Sequence, residues 1–183
     1  VTEMVDDFRA NGLVMVGILR GSFMFLADLV RALYLHGIHP RIDFMNLSSY
    51  GSGTESSGQV EVQKDLSVDV EGADVLVIDD ILDTGKTLRA VIDKLDGMAP
   101  RQVRTCVLLS KKARREYDIP ADYIGFEIPD EFVVGYGLDY RDAYRNLPYV
   151  AALEAHELGL DKAGVAPMAA YKSGAKKMKK KRR

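Results

Sequence analysis

The stretch from Val75 to Leu88, VLVIDDILDTGKTL, leaves this chain few ways to fold. A run of Val, Leu, Val and Ile demands burial on both faces, the condition of a strand inside a parallel sheet. The strand ends in acids, turns through Thr84-Gly85-Lys86-Thr87 and enters a helix with Leu88, Val91, Ile92 and Leu95 at helical spacing. The first turn of such a helix points backbone N–H groups and the positive end of its dipole outward. Gly85 permits close approach and the Thr hydroxyls donate, so a phosphate fits there. Asp79 and Asp80 are wrong for phosphate but suit a sugar diol or a magnesium ion. Phosphate at one end and hydroxyls at the other, about a pentose apart by strand and turn geometry, describe a ribose 5-phosphate site. A Walker P-loop is the obvious rival, but its first glycine falls at position 80, where Asp stands. A merely structural capped turn would leave three aspartates at one strand end repelling one another without a cation.

Further apolar runs at LVMVGIL, IDFM, CVLL and YIGF alternate with amphipathic stretches. The alternation predicts an α/β fold with a mostly parallel central sheet flanked by helices. After the first run, Phe25, Leu26, Leu29, Val30 and Leu33 mark a second sheet-packing helix. Between Ser48 and Gln63, three glycines and many small polar residues predict a mobile loop that returns through a hairpin strand at VEV. Residues 1–160 read as one domain and 161–183 as a Lys-rich, disordered tail.

The 183 residues are enough for one compact core but short for two. The formal charge of −2 conceals an asymmetry: residues 172–183 hold eight Lys or Arg and no acid, so the tail carries +8 and the remainder −10. An acidic body argues against a broad nucleic-acid-binding face, and KKMKKKRR reads as a solvated appendage. The one cysteine, Cys106, sits in an apolar strand and has no internal disulfide partner, which fits a reducing, cytoplasmic compartment. LVMVGIL is too short to cross a bilayer, so a soluble chain is expected. His36, His39 and His156 are scattered without metal-ligand spacing, which gives zinc chemistry no support.

The VLVIDDILDTGKTL segment resembles the phosphoribosyl pyrophosphate (PRPP) motif of the phosphoribosyltransferases, and within them the purine enzymes of the hypoxanthine-guanine type. The resemblance extends over most of residues 13–153. It implies the type I phosphoribosyltransferase fold with a small hood subdomain drawn largely from residues 122–153. It also implies that Asp79 and Asp80 hold the ribose hydroxyls, directly or through Mg²⁺, while Asp83, Thr84, Gly85, Lys86 and Thr87 wrap the 5′-phosphate. The family commonly has Glu where Asp79 stands.

Four other segments carry the likeness. GILRGSFMFLADL resembles the family's pyrophosphate loop, which implies a cis peptide bond between Leu19 and Arg20 and pyrophosphate contacts at Arg20 and Gly21. Ser49-Tyr50 matches the Ser-Tyr pair of the family's lid, and a lid is physically needed because water would capture an oxocarbenium-like transition state. In KKARR, Lys111 would donate to the purine 6-oxo group and Arg115 would serve phosphates. A donor at Lys111 favours a 6-oxopurine over adenine, whose amino group would leave the ammonium unpaired. In residues 122–150, Phe132 would stack on the purine and the carbonyls of Val133 and Asp139 would face its 2-position. The Asp139 carboxylate would hold a second Mg²⁺, and Arg145 would meet pyrophosphate.

The resemblance thus implies transfer of the phosphoribosyl group of PRPP to hypoxanthine or guanine, with Asp83 as general base and Mg²⁺ as cofactor, by a homodimer or homotetramer. Two departures stand out: the family's usual N-terminal strand and helix are absent or short here, and the Lys-rich tail is not a family feature. The alternatives are a xanthine-preferring relative, distinguished at the purine 2-position, and a PRPP-sensing, nucleic-acid-binding regulator on the same fold. An intact Asp83, Lys111 and lid count against the regulator.

Overall fold

The computed structural model describes residues 2–8, 12–49, 60–154, 157 and 176–177. In chain order the elements are α1 (Thr2–Asp7), β1 (Leu13–Leu19), α2 (Phe23–Tyr34), β2 (Arg41–Ser49), β3 (Val60–Lys64), β4 (Asp74–Leu82), α3 (Lys86–Asp96), β5 (Gln102–Ser110), β6 (Tyr123–Glu127), β7 (Phe132–Val134), β8 (Ala151–Leu153) and β9 (Lys176–Lys177). They fall into two compact units, Val1–Pro129 and Asp130–Arg183.

The first unit is a six-stranded sheet in the order β3-β2-β1-β4-β5-β6. Every neighbouring pair is parallel except β2 and β3, which form the expected antiparallel return. The continuous apolar runs of β1 and β4 occupy the sheet centre, where Val14, Met15, Val16, Val75, Leu76, Val77 and Ile78 have no exposed surface. Because side chains alternate along a strand, each run feeds two cores. Met15, Leu76 and Ile78 pack with Leu26, Leu29 and Leu33 of α2 on one face. Val14, Val16, Val75 and Val77 pack with Leu88, Val91 and Leu95 of α3 on the other.

Helix α2 leads from β1 outward to β2, whereas α3 leads from β4 outward to β5 in the opposite direction. The strand order therefore reverses between β1 and β4, and their carboxyl ends flank the crevice where open α/β sheets bind ligands. Helix α1 is fastened by side chains remote in sequence. Asp7 accepts from the Tyr123 hydroxyl and pairs with Arg104 at 2.6 Å.

The second unit is a three-stranded antiparallel sheet, β7-β8-β9, with Val134, Leu147 and Ala151 as its small core. Within the tail expected to lack order, Lys176–Lys177 pairs with Ala152 and Ala151 as β9; the other tail residues from 161 onward lie outside the described residues.

Candidate active site

Strand β4 delivers Asp79 and Asp80 to the crevice. Asp79 is buried, and its carboxylate accepts the backbone N–H of Asp80 at 3.0 Å. Burial, and then the neighbouring Asp80 carboxylate, push its carboxyl well above the usual carboxylate range. Asp80 in turn accepts the N–H of Ile81 at 3.1 Å.

The turn after β1 closes on the same acids. The Leu19–Arg20 peptide bond is cis, as the resemblance implies. Ser22, fully buried, donates its hydroxyl to the Ile18 carbonyl at 2.6 Å across the turn. A Cβ on Gly21 would fall inside the Asp80 carboxylate, so any larger residue there would displace the turn or that carboxylate. Arg20 is exposed at the same turn.

Between β4 and α3, Gly85 caps the helix with φ of 87°, a left-handed value suited to glycine. Its missing side chain also makes room for the 111–119 segment, since a Cβ there would meet the Tyr117 carbonyl oxygen at 2.9 Å. Thr84 receives Lys86 N–H on its hydroxyl at 3.3 Å, and its carbonyl accepts from both Glu116 and Tyr117 at 3.0 Å. Lys86 pairs with Glu116 at 2.8 Å, and that hydrogen bond raises the ammonium's pKa. Thr87 lies in the first turn of α3, where backbone N–H groups have no acceptor within the helix.

Asp83 is the outlier in hydrogen bonding. Its Oδ1 is buried and accepts no hydrogen bond, while Oδ2 lies 3.7 Å from the exposed Arg114. A buried carboxylate oxygen without a donor suits proton abstraction from a bound ligand. Lys111 is buried at the end of β5, its backbone N–H bonded to the Leu82 carbonyl at 2.9 Å. Arg115, expected at phosphates, instead aims its guanidinium at protein carbonyls: Asp83 at 3.0 Å, Leu82 at 3.3 Å and Lys111 at 2.9 Å. Glu116 and Tyr117, outside the expected site residues, clasp the turn between β4 and α3; their signal in the sequence is a charge reversal directly after KKARR.

In the second unit, Phe132 is 41% exposed and meets Tyr140 edge-on with ring centres 5.5 Å apart. Val133 is buried on β7, paired with Ala152. Asp139 and Arg145 pair at 2.7 Å; Asp139 also accepts the Asp142 N–H at 2.8 Å, and Arg145 donates to the Gly137 carbonyl at 2.8 Å. Two groups expected to take oppositely charged ligands thus satisfy one another. Ser49 ends β2 opposite Val60, whereas Tyr50 and residues 51–59 lie outside the described residues.

Among the described residues no cluster of three or more His, Cys, Asp or Glu could hold a metal unaided. The Asp79–Asp80 pair nonetheless fits magnesium, which characteristically binds through one or two carboxylates with substrate oxygens and water completing its shell.

Comparison with known proteins matches residues 2–141 to the phosphoribosyl transferase domain family. A hypoxanthine-guanine phosphoribosyltransferase of Staphylococcus epidermidis is 50% identical over 152 residues, 83% of each chain. Its Staphylococcus aureus counterpart is 49% identical over the same share. Among solved structures, a hypoxanthine phosphoribosyltransferase from S. aureus superposes with a TM-score of 0.78 at 48% identity, covering 85% of this chain and 83% of that one. The Trypanosoma cruzi hypoxanthine phosphoribosyltransferase in complex with the product IMP gives a TM-score of 0.79 at 40% identity, covering 85% and 86%.

Proposed function

The chain belongs to the phosphoribosyltransferase family, and we propose that its β1–β4 crevice transfers the 5-phosphoribosyl group of PRPP to hypoxanthine or guanine, giving IMP or GMP and pyrophosphate. The observation that carries this reading is the contact between Gly21 and the Asp80 carboxylate, which brings a pyrophosphate-type loop against the acidic strand that leads into a phosphate turn.

The first helical turn from Lys86, with Thr84 and Gly85, binds the 5′-phosphate through backbone N–H groups and the helix dipole. Asp79 and Asp80 orient the ribose diol and hold Mg²⁺, which when bound stabilises negative charge on the leaving group. Arg20 and Gly21 meet pyrophosphate through the β1–α2 turn. Asp83 Oδ1 receives the proton that the purine releases from N7 as its N9 bonds to C1′ and the C1′–pyrophosphate bond breaks. Lys111 donates to the 6-oxo group, which supports 6-oxopurines as substrates. Ser49 and Tyr50 exclude water as parts of a lid. The stacking role of Phe132, the carbonyl roles of Val133 and Asp139, the second Mg²⁺ at Asp139 and the pyrophosphate role of Arg145 belong to the same proposal. Both Asp139 and Arg145 would have to exchange each other for ligand.

The exposed Ile124 and Phe126 on edge strand β6 support self-association as a dimer or tetramer. No helix among the described residues is long and apolar enough to cross a membrane. The buried, unpaired Cys106 supports a reducing, cytoplasmic location.

The test incubates the protein with PRPP and Mg²⁺ and, separately, hypoxanthine, guanine, xanthine and adenine, with EDTA controls. IMP and GMP form in a metal-dependent manner. Exclusive formation of XMP would move the assignment to a xanthine-preferring enzyme, and PRPP binding without any nucleotide would leave the fold and remove the activity.

A further inference from the structure

Strands β4 and β5 run side by side until Leu82 faces Ser110, and the last backbone bond between them joins Lys111 N–H to the Leu82 carbonyl. One residue further, the chains diverge into the phosphate turn and the 111–119 segment. Asp83 and Lys111 therefore emerge from two strand ends whose own ladder has stopped. Both must meet one purine: the acid at the nitrogen that loses its proton, the ammonium at the 6-oxo group.

Arg115 occupies the position of the next rung. Its Nε donates to the Asp83 carbonyl at 3.0 Å, and Nη2 reaches the carbonyls of Leu82 at 3.3 Å and Lys111 at 2.9 Å and the Ser110 hydroxyl at 3.2 Å. Nη1 reaches the Ile119 carbonyl at 3.5 Å. All three nitrogens face acceptors of the protein, so the fork is directed into the strand ends rather than toward an anion. Its stem covers the cap of α3, with Cδ 3.6 Å from where a Cβ on Gly85 would stand. A planar fork can bridge two strands in this way, whereas a lysine ammonium on a flexible stem cannot hold them in one register.

We propose that Arg115 is a positioning residue for the transfer reaction, fixing the spacing between Asp83 and Lys111 by bridging the carbonyl ends of β4 and β5. The inference rests on the reading above, in which those two side chains act on one purine. The phosphate turn has further holds besides Arg115, through Thr84 to Glu116 and Tyr117 and through Lys86 to Glu116, so the register can be lost while PRPP is still bound.

The test uses full-length Arg115→Ala and Arg115→Lys, with active sites counted by PRPP binding in Mg²⁺. A misplacement of about 1 Å can cost on the order of 100-fold in rate, so kcat per PRPP-binding site falls by about that factor while the Kd for PRPP stays within about threefold. Guanidinium ion at non-denaturing concentration restores part of the activity of Arg115→Ala, and Arg115→Lys stays impaired despite its charge. A tenfold or greater loss of PRPP affinity with kcat retained would overturn the proposal in favour of phosphate contact. Normal kcat per site in a less stable protein, or failure of both variants to fold, would overturn it in favour of a structural role. Wild-type protein that binds PRPP but forms no nucleotide would instead sink the underlying functional reading.

Discussion

Asp83 combines two properties that ordinary structural acids do not share: it directly follows the buried strand β4, and one of its oxygens is buried without a donor. Asp83→Asn keeps the shape and removes the carboxylate proposed to accept the proton. Turnover should fall by roughly 10²–10⁴-fold with PRPP affinity little changed, as read by steady-state kinetics beside a PRPP titration; unchanged turnover would take Asp83 out of that role. Gly21 makes the complementary case, because its importance lies in what it lacks. Gly21→Ala must push the turn or the Asp80 carboxylate aside, so Mg²⁺-dependent PRPP binding should weaken by at least about tenfold, an energy of roughly 1.4 kcal/mol. Calorimetric titration of the variant with Mg²⁺–PRPP checks this. The acids and the glycine were readable from the sequence because motif and chemistry coincide in them. Within KKARR the resemblance singled out Lys111 and Arg115, and both turn inward, although nothing in the run's own pattern separates them from their neighbours. Lys112 and Arg114 are 73% and 61% exposed, while Lys111 is buried and Arg115 is committed to carbonyls.

The same distinction between local pattern and distant contact separates the elements. Strands β1, β4 and β5 and helices α2 and α3 follow from runs and spacings that no neighbour needs to complete. Helix α1 has only six residues, too few for periodicity to speak, and depends on Tyr123 and Arg104 from elsewhere in the chain. Strands β7 and β8 have three residues each, and the loop between them places Tyr136, Arg141, Asp142 and Tyr144 at positive φ, which their side chains do not advertise. The β2–β3 hairpin shows both kinds of information at once. Its strands were legible, but the clasp at its base was not: buried Asp43 on β2 accepts Lys64 at 3.0 Å and the backbone N–H groups of Phe44, Ser67 and Val68. Burial raises the Asp43 pKa, but the N–H groups of Ser67 and Phe44, the Lys64 ammonium and the Val68 N–H outweigh it and hold the carboxyl at about 2. A folded pKa below the unfolded value means stabilisation that is present above the ordinary carboxylate range and lost as pH falls through about 2. Asp43→Asn should therefore cost about 2 kcal/mol at neutral pH, and the difference from wild type should shrink steadily below about pH 4. Urea unfolding of both proteins at several pH values tests the sign; a gap that widened in acid would refute it.

Across the whole molecule, charge is distributed in a way that packing does not require: −10 on residues 1–171 and +8 on residues 172–183. In the proposed transfer the anionic substrate meets the α3 dipole, backbone N–H groups and a few placed cations. The basic tail has no such role in the proposed transfer; of its residues, Lys176 and Lys177 engage β8 through their backbone, leaving the charge pattern itself unexplained by the sheet. Deleting residues 172–183 should thus leave kcat and KM for hypoxanthine and guanine unchanged. If the tail draws the enzyme to polyanions, full-length protein should bind duplex DNA with a log–log salt slope no steeper than about −7, the limit for eight phosphate contacts, and the deletion should abolish that binding. Loss of transfer activity on deletion, with PRPP affinity intact, would show instead that the tail takes part in the chemistry, and β9 would be the first contact to examine.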